Sequence, residues 1–368
     1  MKFTRLRYSS YRNLERVELE PSENFNVFWG RNAQGKTNII EGIYLLGHLK
    51  SFRTVLTQNL IGHDSGQAEV GGEWICRSVT HRLDLKLTRQ GKEIYLDEKR
   101  PRRIYDVAEI MRQVLFAPEE VASVKGAPGL RRNLVDRAIY QLQPSYLERM
   151  QNYYRILKQR NILLREGKDE ALIDTWKEGL IVEGAHIYNE RQVFIEKIRP
   201  FFEAIYQQLT QNTEFPEVRL RQGVVAELEE QQQILKEEFE RYKKQERQRG
   251  TTQVGPHRDD PGFLINDRDL RNHGSQGQQR TFILAFKIAL LKLLKHQNGS
   301  SAVLMLDDIA SELDEKRREA LFCLLREEAG QVFITTTDPN LIPPEPSGDI
   351  RYFEVKDGHV FPGSTQMR

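Results

Sequence analysis

Gly30-Arg31-Asn32-Ala33-Gln34-Gly35-Lys36-Thr37 fits the pattern G-x-x-x-x-G-K-[ST] in full. The two glycines let the backbone fold round an anion with its N–H groups pointing inward, and the N-terminus of a following helix adds to that nest. A lysine at this position reaches the β- and γ-phosphates of a nucleotide, and the threonine hydroxyl ligates Mg²⁺. Upstream, Val17, Leu19, Phe25, Val27, Phe28 and Trp29 are β-formers, while Asn38 to Leu49 has the apolar spacing of a helix. The first 45 residues therefore read as a strand, a tight loop and a helix. ATP with Mg²⁺ is the expected ligand, held by Gly30, Arg31, Asn32, Ala33, Gln34, Gly35, Lys36, Thr37 and Asn38, with Thr37 on the metal.

A second feature of this kind lies far downstream. Ala302-Val303-Leu304-Met305-Leu306-Asp307-Asp308 is a continuous apolar run ending in two carboxylates. A run apolar on both faces suits a central parallel strand, and ligands in such sheets bind beyond the C-terminal strand ends. Asp307 is then placed to hold Mg²⁺ through a water, and Asp308 to polarise an attacking water. A helix N-cap is the plainer reading of the same aspartates; the upstream loop favours the first.

Composition bounds the rest. The chain has 368 residues, 39% hydrophobic and 29% charged, with a net charge of +2. That balance excludes a uniformly basic coat, so any nucleic-acid contact must be a local patch. Cys76 and Cys323 are too few and too far apart for a disulfide framework or a zinc cluster. The N-terminus MKFTRLRYSSYRNLERVELE has no apolar core of a secretory signal, and Phe282 to Leu294 is interrupted by Lys287 and Lys292. A soluble, cytoplasmic protein with no membrane association is expected.

Residues 68 to 98 alternate and carry a turn at Arg89-Gln90-Gly91-Lys92, which reads as an antiparallel meander. From about 130 to 250 glycine is scarce and Leu, Ile and Tyr recur at spacings of three and four, clearest over Tyr146–Leu164 and Leu228–Tyr242. After Thr251 the α/β texture returns, with helices expected over 281–295 and 315–329 and a strand over Gln331–Thr337. The expected architecture is an α/β ATPase head, a mixed sheet flanked by helices plus an antiparallel meander. The head is split into 1–125 and 251–368, with a helical insertion or arm domain at 126–250.

Ser275-Gln276-Gly277-Gln278-Gln279-Arg280 opens a long helix, which Ser275 could cap. About 25 residues before the acidic strand is where ABC ATPases carry their S-G-[GQ]-[QE] signature. Ser311-Glu312-Leu313-Asp314 resembles their D-loop, and Thr335-Thr336-Thr337 ends the strand that bears the switch residue, assigned here to Thr337. Within this class, which includes SMC and Rad50, the chain resembles the bacterial RecF family from end to end. The motifs that carry the resemblance are Tyr11-Arg12-Asn13-Leu14, Phe116-Ala117-Pro118-Glu119-Glu120, Val124-Lys125-Gly126, Arg131-Arg132, Gly255-Pro256-His257-Arg258-Asp259-Asp260, SQGQQR and LDDIASELD.

The resemblance implies a slow, DNA-stimulated ATPase acting in DNA repair, replication and recombination. It implies an ATP-sandwiched homodimer in which Ser275, Gly277 and Gln278 of one protomer close over the nucleotide of the other, with Arg12 and Asn13 joining the nucleotide site. Lys36, Asp308 and Ser275 are the implied catalytic set. DNA would be bound at single-strand/double-strand junctions or gapped duplex. RecO and RecR are the implied partners, and RecA is loaded indirectly. Threonine in place of the switch histidine, and Asp308 in place of glutamate, point to hydrolysis as a timing switch. Gln113 is a possible Q-loop glutamine.

For DNA contact the sequence offers Lys99, Arg100, Arg102, Arg103, Lys125, Arg131 and Arg132, in a stretch with eight basic and four acidic residues. An ordinary charged surface is the other reading. His257 could contact nucleotide or DNA, or serve as a structural hydrogen-bonder; His273 is open in the same way. An ABC transporter ATPase subunit is disfavoured by the missing switch histidine and by GPHRDD. A short SMC/Rad50-like structural ATPase is disfavoured because only about 240 residues separate Thr37 from Ser275. An ATP-gated nuclease of the overcoming-lysogenization type would need a further carboxylate-rich metal domain.

Overall fold

The computed structural model describes residues 1–101, 105–211, 214–220, 227–299, 301–344 and 350–363. It divides into two compact units. Unit one comprises Met1–Val121, Ala204–Thr213 and Arg280–Arg368; unit two comprises Ala122–Glu203 and Glu214–Gln279.

Unit one holds β1 (Lys2–Tyr11), β2 (Leu14–Leu19), β3 (Phe25–Trp29), α1 (Lys36–His48), β4 (Gln67–Cys76), β5 (Val79–Thr88), β6 (Gly91–Leu96), α2 (Tyr105–Ile110) and β7 (Gln113–Phe116). After α3 (Pro118–Lys125) and unit two, the chain returns with most of α9 (Gln276–Asn298), β11 (Val303–Leu306), α10 (Glu315–Glu328), β12 (Val332–Thr336), β13 (Ile350–Lys356) and β14 (His359–Pro362). Among the described residues one sheet has the order β14-β13-β3-β12-β11-β7 and another β2-β1-β4-β5-β6. In the first, β13, β3, β12, β11 and β7 run parallel and only β14 is antiparallel. The strands β7, β11 and β12 are buried at every residue, as a parallel sheet covered on both faces requires. The second sheet is an antiparallel meander; Thr88 pairs with Gly91, so the turn expected at Arg89-Gln90-Gly91-Lys92 narrows to Arg89-Gln90, and Gly91 and Lys92 already belong to β6.

The β1–β2 hairpin is not what the sequence suggested for the N-terminal residues. The alternation of β1 is broken by a register shift against β4 between Phe3 and Arg5, so Phe3 and Leu6 face the core three residues apart and the period of two is lost. Helix α1 is buried nearly all round, which makes it a core helix. Ile39, Ile40, Ile43 and Leu46 are fully buried in a cluster with Leu6, Tyr8, Val70 and Leu85 on one side and Phe28, Met305 and Phe333 on the other. At 1.5–3 kcal/mol each, those four side chains contribute about 6–12 kcal/mol in gross burial, which fixes the helix whose N-terminus faces the phosphate loop.

Unit two contains α4 (Pro128–Leu142), α5 (Tyr146–Arg165), most of α6 (Glu170–Thr210), β8 (Pro216–Arg219), α7 (Leu228–Arg249), β9 (Gly262–Ile265), β10 (Arg268–Asp269) and α8 (Leu270–His273). A small antiparallel sheet of order β10-β9-β8 joins the helices. Residues 251–279, assigned to the head from sequence texture, pack here. Arg160 donates to Thr252 Oγ1 at 2.8 Å and pairs with Glu246 at 2.6 Å, while Arg191 donates to the Pro256 carbonyl at 3.1 Å. Residues 204–213 belong to unit one, where Tyr206 meets Phe282 edge-on at 6.4 Å. Among the described residues no helix is long and apolar enough to cross a membrane.

Candidate functional site

The phosphate loop leaves β3 at Trp29 and enters α1 at Lys36. Gly30 (φ 150°), Ala33 (φ 63°) and Gly35 (φ 114°) curl it. A Cβ on Gly30 would stand 2.3 Å from the Val355 carbonyl oxygen, so only glycine fits. Lys36 is buried, and its Nζ donates to the carbonyls of Gly30 at 2.6 Å and Arg31 at 2.8 Å. Burial pulls its pKa down while Asp308 and Asp307 push it back up. Arg31, Asn32 and Ala33 are exposed.

Parallel pairing of β3, β12, β11 and β7 brings four strand ends to one edge. There Thr37 Oγ1 donates to Asp307 Oδ1 at 3.0 Å across 270 residues of sequence separation. Thr335, at the end of β12, donates to the same oxygen at 2.6 Å and accepts from the Asp308 N–H at 2.9 Å. Burial raises the pKa of Asp307; the two threonine hydroxyls lower it, and Glu119 and Asp308 raise it. Asp308 takes a left-handed backbone (φ 50°), and its Oδ1 accepts from Ser311 Oγ of the D-loop at 3.0 Å. Such strain in a non-glycine residue marks a position the surroundings over-determine. The next D-loop residue, Glu312, pairs with Arg280 at 3.0 Å.

Three placements differ from the sequence reading or extend it. Thr337 is exposed just beyond β12, whereas Thr335, two residues earlier, bonds the acidic pair. Gln113 pairs with Val303 at the start of its strand, while Phe116 pairs with Leu306 at the edge where Asp307 follows. Gln113 therefore lies at the wrong end of β7 for a phosphate-side glutamine and donates to the Ile43 carbonyl inside α1. Glu119, in the first turn of α3, is the group from that region that reaches Asp307 electrostatically.

Two turns brace the loop from outside. Arg12, left-handed at φ 56°, makes a two-pronged pair with the fully buried Glu41 at 2.9 and 2.8 Å. Asn13 donates to the Gln34 carbonyl at 3.1 Å and accepts from Asn38 at 2.7 Å. From the β13–β14 turn, the Gly358 N–H donates to the Gln34 carbonyl at 3.0 Å and the Asp357 N–H to the Gln34 side chain at 2.7 Å. A Cβ on Gly358 would lie 2.0 Å from the Asn13 carbonyl oxygen, at φ +78°. Gly358→Ala should therefore cost more than Gly299→Ala, which has φ +65° but open space around it. The open site carries only the left-handed backbone cost of about 1–2 kcal/mol. Thermal melts of the two variants check this; equal melting temperatures would show that the turn does not press on Asn13.

The signature segment belongs to unit two. Ser275 Oγ accepts from the Gln278 N–H at 3.1 Å, and Gln278 Oε1 accepts from the Ser275 N–H at 2.9 Å, a reciprocal capping box. Gln278 Nε2 also donates to Glu214. Ser275 is exposed and Gly277 half-buried. His257 is held by Tyr153 Oη on Nδ1 at 2.7 Å and the Thr252 carbonyl on Nε2 at 3.3 Å, which fixes the Nε2–H tautomer. Burial lowers its pKa to about 4, so it is a neutral structural hydrogen-bonder at pH 7.

Of the basic residues, Lys99, Arg100 and Lys125 are exposed, with Arg100 5.6 Å from the Tyr95 ring centroid. Arg102 and Arg103 lie outside the described residues. Arg131 is 2% exposed. It donates to Asp260 at 2.7 Å and to the carbonyls of Val124 at 3.0 Å and Gly126 at 2.8 Å. Arg132 is half-buried and donates to the Asp259 carbonyl. These two tie the 255–260 loop to α4; Arg131 in particular presents no free face to a phosphate.

Phosphate loop, acidic strand end and parallel sheet together define an ABC-type P-loop ATPase head with an inserted helical unit. Residues 2–344 match the family model of the RecF/RecN/SMC N-terminal domain. The chain is 41% identical to the DNA replication and repair protein RecF of Syntrophotalea carbinolica over 98% of this chain and 99% of that one. It is 37% identical to the RecF of Geobacter sulfurreducens over 98% of this chain and 100% of that one. Among solved structures, the recombination mediator protein RecF-ATP in the RecFOR pathway superposes with a TM-score of 0.89 at 29% identity, covering 99% of this chain and 98% of that chain. An SMC head bound to the C-terminal winged-helix domain of ScpA shares the fold, at TM-score 0.59 and 15% identity over 99% of this chain and 98% of that chain. The chain belongs to the RecF family of DNA replication and repair proteins.

Proposed function

We propose that this chain is an ATP-dependent DNA-binding recombination mediator. It binds ATP at Gly30–Asn38, dimerises on it, and engages DNA at single-strand/double-strand junctions or gaps. With RecO and RecR it helps load RecA, and slow, DNA-stimulated hydrolysis resets it. The observation that carries the nucleotide site is the Thr37–Asp307 hydrogen bond of 3.0 Å. It sets a hydroxyl and a carboxylate side by side at the mouth of an anion nest.

The site fits its ligands. The glycine-curled loop has no room for a Cβ at Gly30, and Lys36 can exchange its two carbonyl partners for phosphate oxygens. Thr37 and Asp307 supply the hard oxygen donors that suit Mg²⁺ alongside phosphate oxygens. Mg²⁺ bound there neutralises charge on the phosphates. Asp308, with its backbone N–H on Thr335 and its carboxylate on Ser311, is the group that orients and deprotonates water. Arg12 and Asn13 flank the loop. Ser275, Gly277 and Gln278 serve the nucleotide of the second protomer, where the exposed Ser275 hydroxyl can leave its cap for a phosphate. Thr337, exposed beyond β12, is assigned the role of switch residue for the γ-phosphate. The division of labour is a split ATPase head with a helical arm.

Light scattering of the Asp308→Asn protein tests the reading. Mass should double on adding ATP-Mg²⁺ and not without it, and a gapped duplex should bind more tightly in the same samples. A protein that stays at one protomer mass with ATP bound, and ignores DNA, would remove the clamp reading and leave a partner-dependent ATPase.

A further inference from the structure

We propose that the exposed face of α5 is a contact surface for the DNA phosphate backbone. This inference rests on the reading that the chain binds DNA, and it assigns that contact to a place in unit two.

Helix α5 carries Arg149, Arg155, Lys158, Arg160 and Arg165 against one carboxylate, Glu148. By contrast α7 carries six carboxylates against six cations. One side of α5 is core: Tyr146, Tyr153, Ile156, Leu157 and Leu164 are buried, and Arg160 is neutralised by Glu246 at 2.6 Å. The other side shows Gln151, Tyr154, Arg155, Lys158, Gln159 and Arg165 to solvent. Those positions recur at three, four, seven and eight residues, so they form one stripe. At 100° per residue the three cations fall within about 80° of one another, and at 1.5 Å rise Arg155 and Arg165 are about 15 Å apart.

That length covers about four phosphate steps of one duplex strand at 3.4 Å. Among the described residues, none of the three cations is in an ion pair. Arg155 donates to Asn152 Oδ1 at 2.7 Å and Arg165 to the Asn161 carbonyl at 3.2 Å, both neutral acceptors. Glu183, which bonds Asn152, is already paired with Arg149 at 3.1 Å. Arg149, Arg219 and Arg271 of the same unit each sit beside a carboxylate instead. A stripe of uncompensated cations interleaved with glutamine and an exposed tyrosine is complementary to a polyanion. Amides and a phenol hydrogen-bond phosphate oxygens without reading sequence. Regular spacing along a rigid helix favours a phosphate backbone over a disordered acidic peptide.

The full-length Arg155→Ala/Lys158→Ala/Arg165→Ala protein decides this, titrated with a fluorescent gapped duplex in ATP-Mg²⁺ over a range of salt. Three lost phosphate contacts lower the slope of log affinity against log salt by about 2.7. Between roughly 50 and 200 mM salt the parent should then lose about 40-fold more affinity than the variant. An Arg241→Ala/Lys244→Ala/Arg249→Ala protein removes the same charge from α7 and should keep the parental slope. Equal slopes for parent and α5 variant would overturn the assignment while leaving DNA binding in place. So would equal slope losses in both variants, which would reduce the effect to net charge. Unchanged DNA binding with lost binding of a poly-glutamate peptide would give the stripe to an acidic protein instead. A parent that binds no DNA at any salt would take down the DNA reading itself.

Discussion

Replacing Arg191 with leucine should destabilise unit two by about 3–5 kcal/mol, the cost of leaving partners of a buried ion pair uncompensated. Arg191 is fully buried on α6. Its guanidinium donates to both oxygens of Asp136 at 2.9 Å each, to the Pro256 carbonyl at 3.1 Å and to Asp259 at 3.4 Å. Asp259 is itself fully buried, and Tyr146 donates to Asp136 at 2.7 Å. Burial opposes the arginine's charge, but Asp136, Tyr146 and Asp259 together raise its pKa, so it stays protonated at any accessible pH. Leucine would leave Asp136 and Asp259 facing a low-dielectric interior with no cation. Urea unfolding followed by hydrogen exchange should show a lower midpoint, with protection lost first in α4, α5 and α6. Adding Asp259→Asn to the leucine variant should recover part of the loss, because the amide carries no charge to strand. A midpoint equal to the parent's would mean that the network is not what holds the 255–260 loop.

That network shows where sequence reading stops. GPHRDD is conspicuous in the chain, but nothing in six residues says that Asp259 meets an arginine 68 positions earlier or that His257 faces Tyr153 across 104. The same limit explains Arg131. Its neighbours make the stretch look like a basic patch, and only the fold reveals that Asp260 and two carbonyls consume its guanidinium. The phosphate loop and the acidic strand were legible because each writes its geometry locally, through glycine positions, a buried-strand run and the residues directly after it. Pairings that depend on strand register were not. Thr335 rather than Thr337 meets Asp307 because β12 ends in register with β11, and Gln113 points into α1 because β7 starts where β11 starts. The Gly358 turn that braces Gln34 is more than 320 residues away in sequence, and its small size has meaning only beside Asn13.

Lys36→Met should lower ATP hydrolysis by about 10²–10³-fold, the loss typical of removing one preorganised donor to developing charge. Two effects combine in that number. The ammonium bonds the Gly30 and Arg31 carbonyls and so braces the loop that the proposed function assigns to phosphate. On the proposed reading those donors would turn to the β- and γ-oxygens of ATP, while the nearby Asp307 and Asp308 oppose the burial that lowers the lysine's pKa. Methionine is close in length and apolar, so packing survives while both donor sets vanish. Lys36→Arg separates the two effects. It keeps the charge but replaces a compact ammonium with a planar fork, so it should retain the parental melting temperature yet still hydrolyse slowly. Steady-state phosphate release on all three proteins, with binding of a fluorescent ATP analogue alongside, is the measurement. Weak binding with a proportionate fall in rate would place the lysine in uniform substrate binding. A fall in rate with binding preserved would place it on the charge that develops in transfer. Hydrolysis within a few-fold of the parent would mean that the loop at Gly30–Thr37 is not the site of phosphate chemistry.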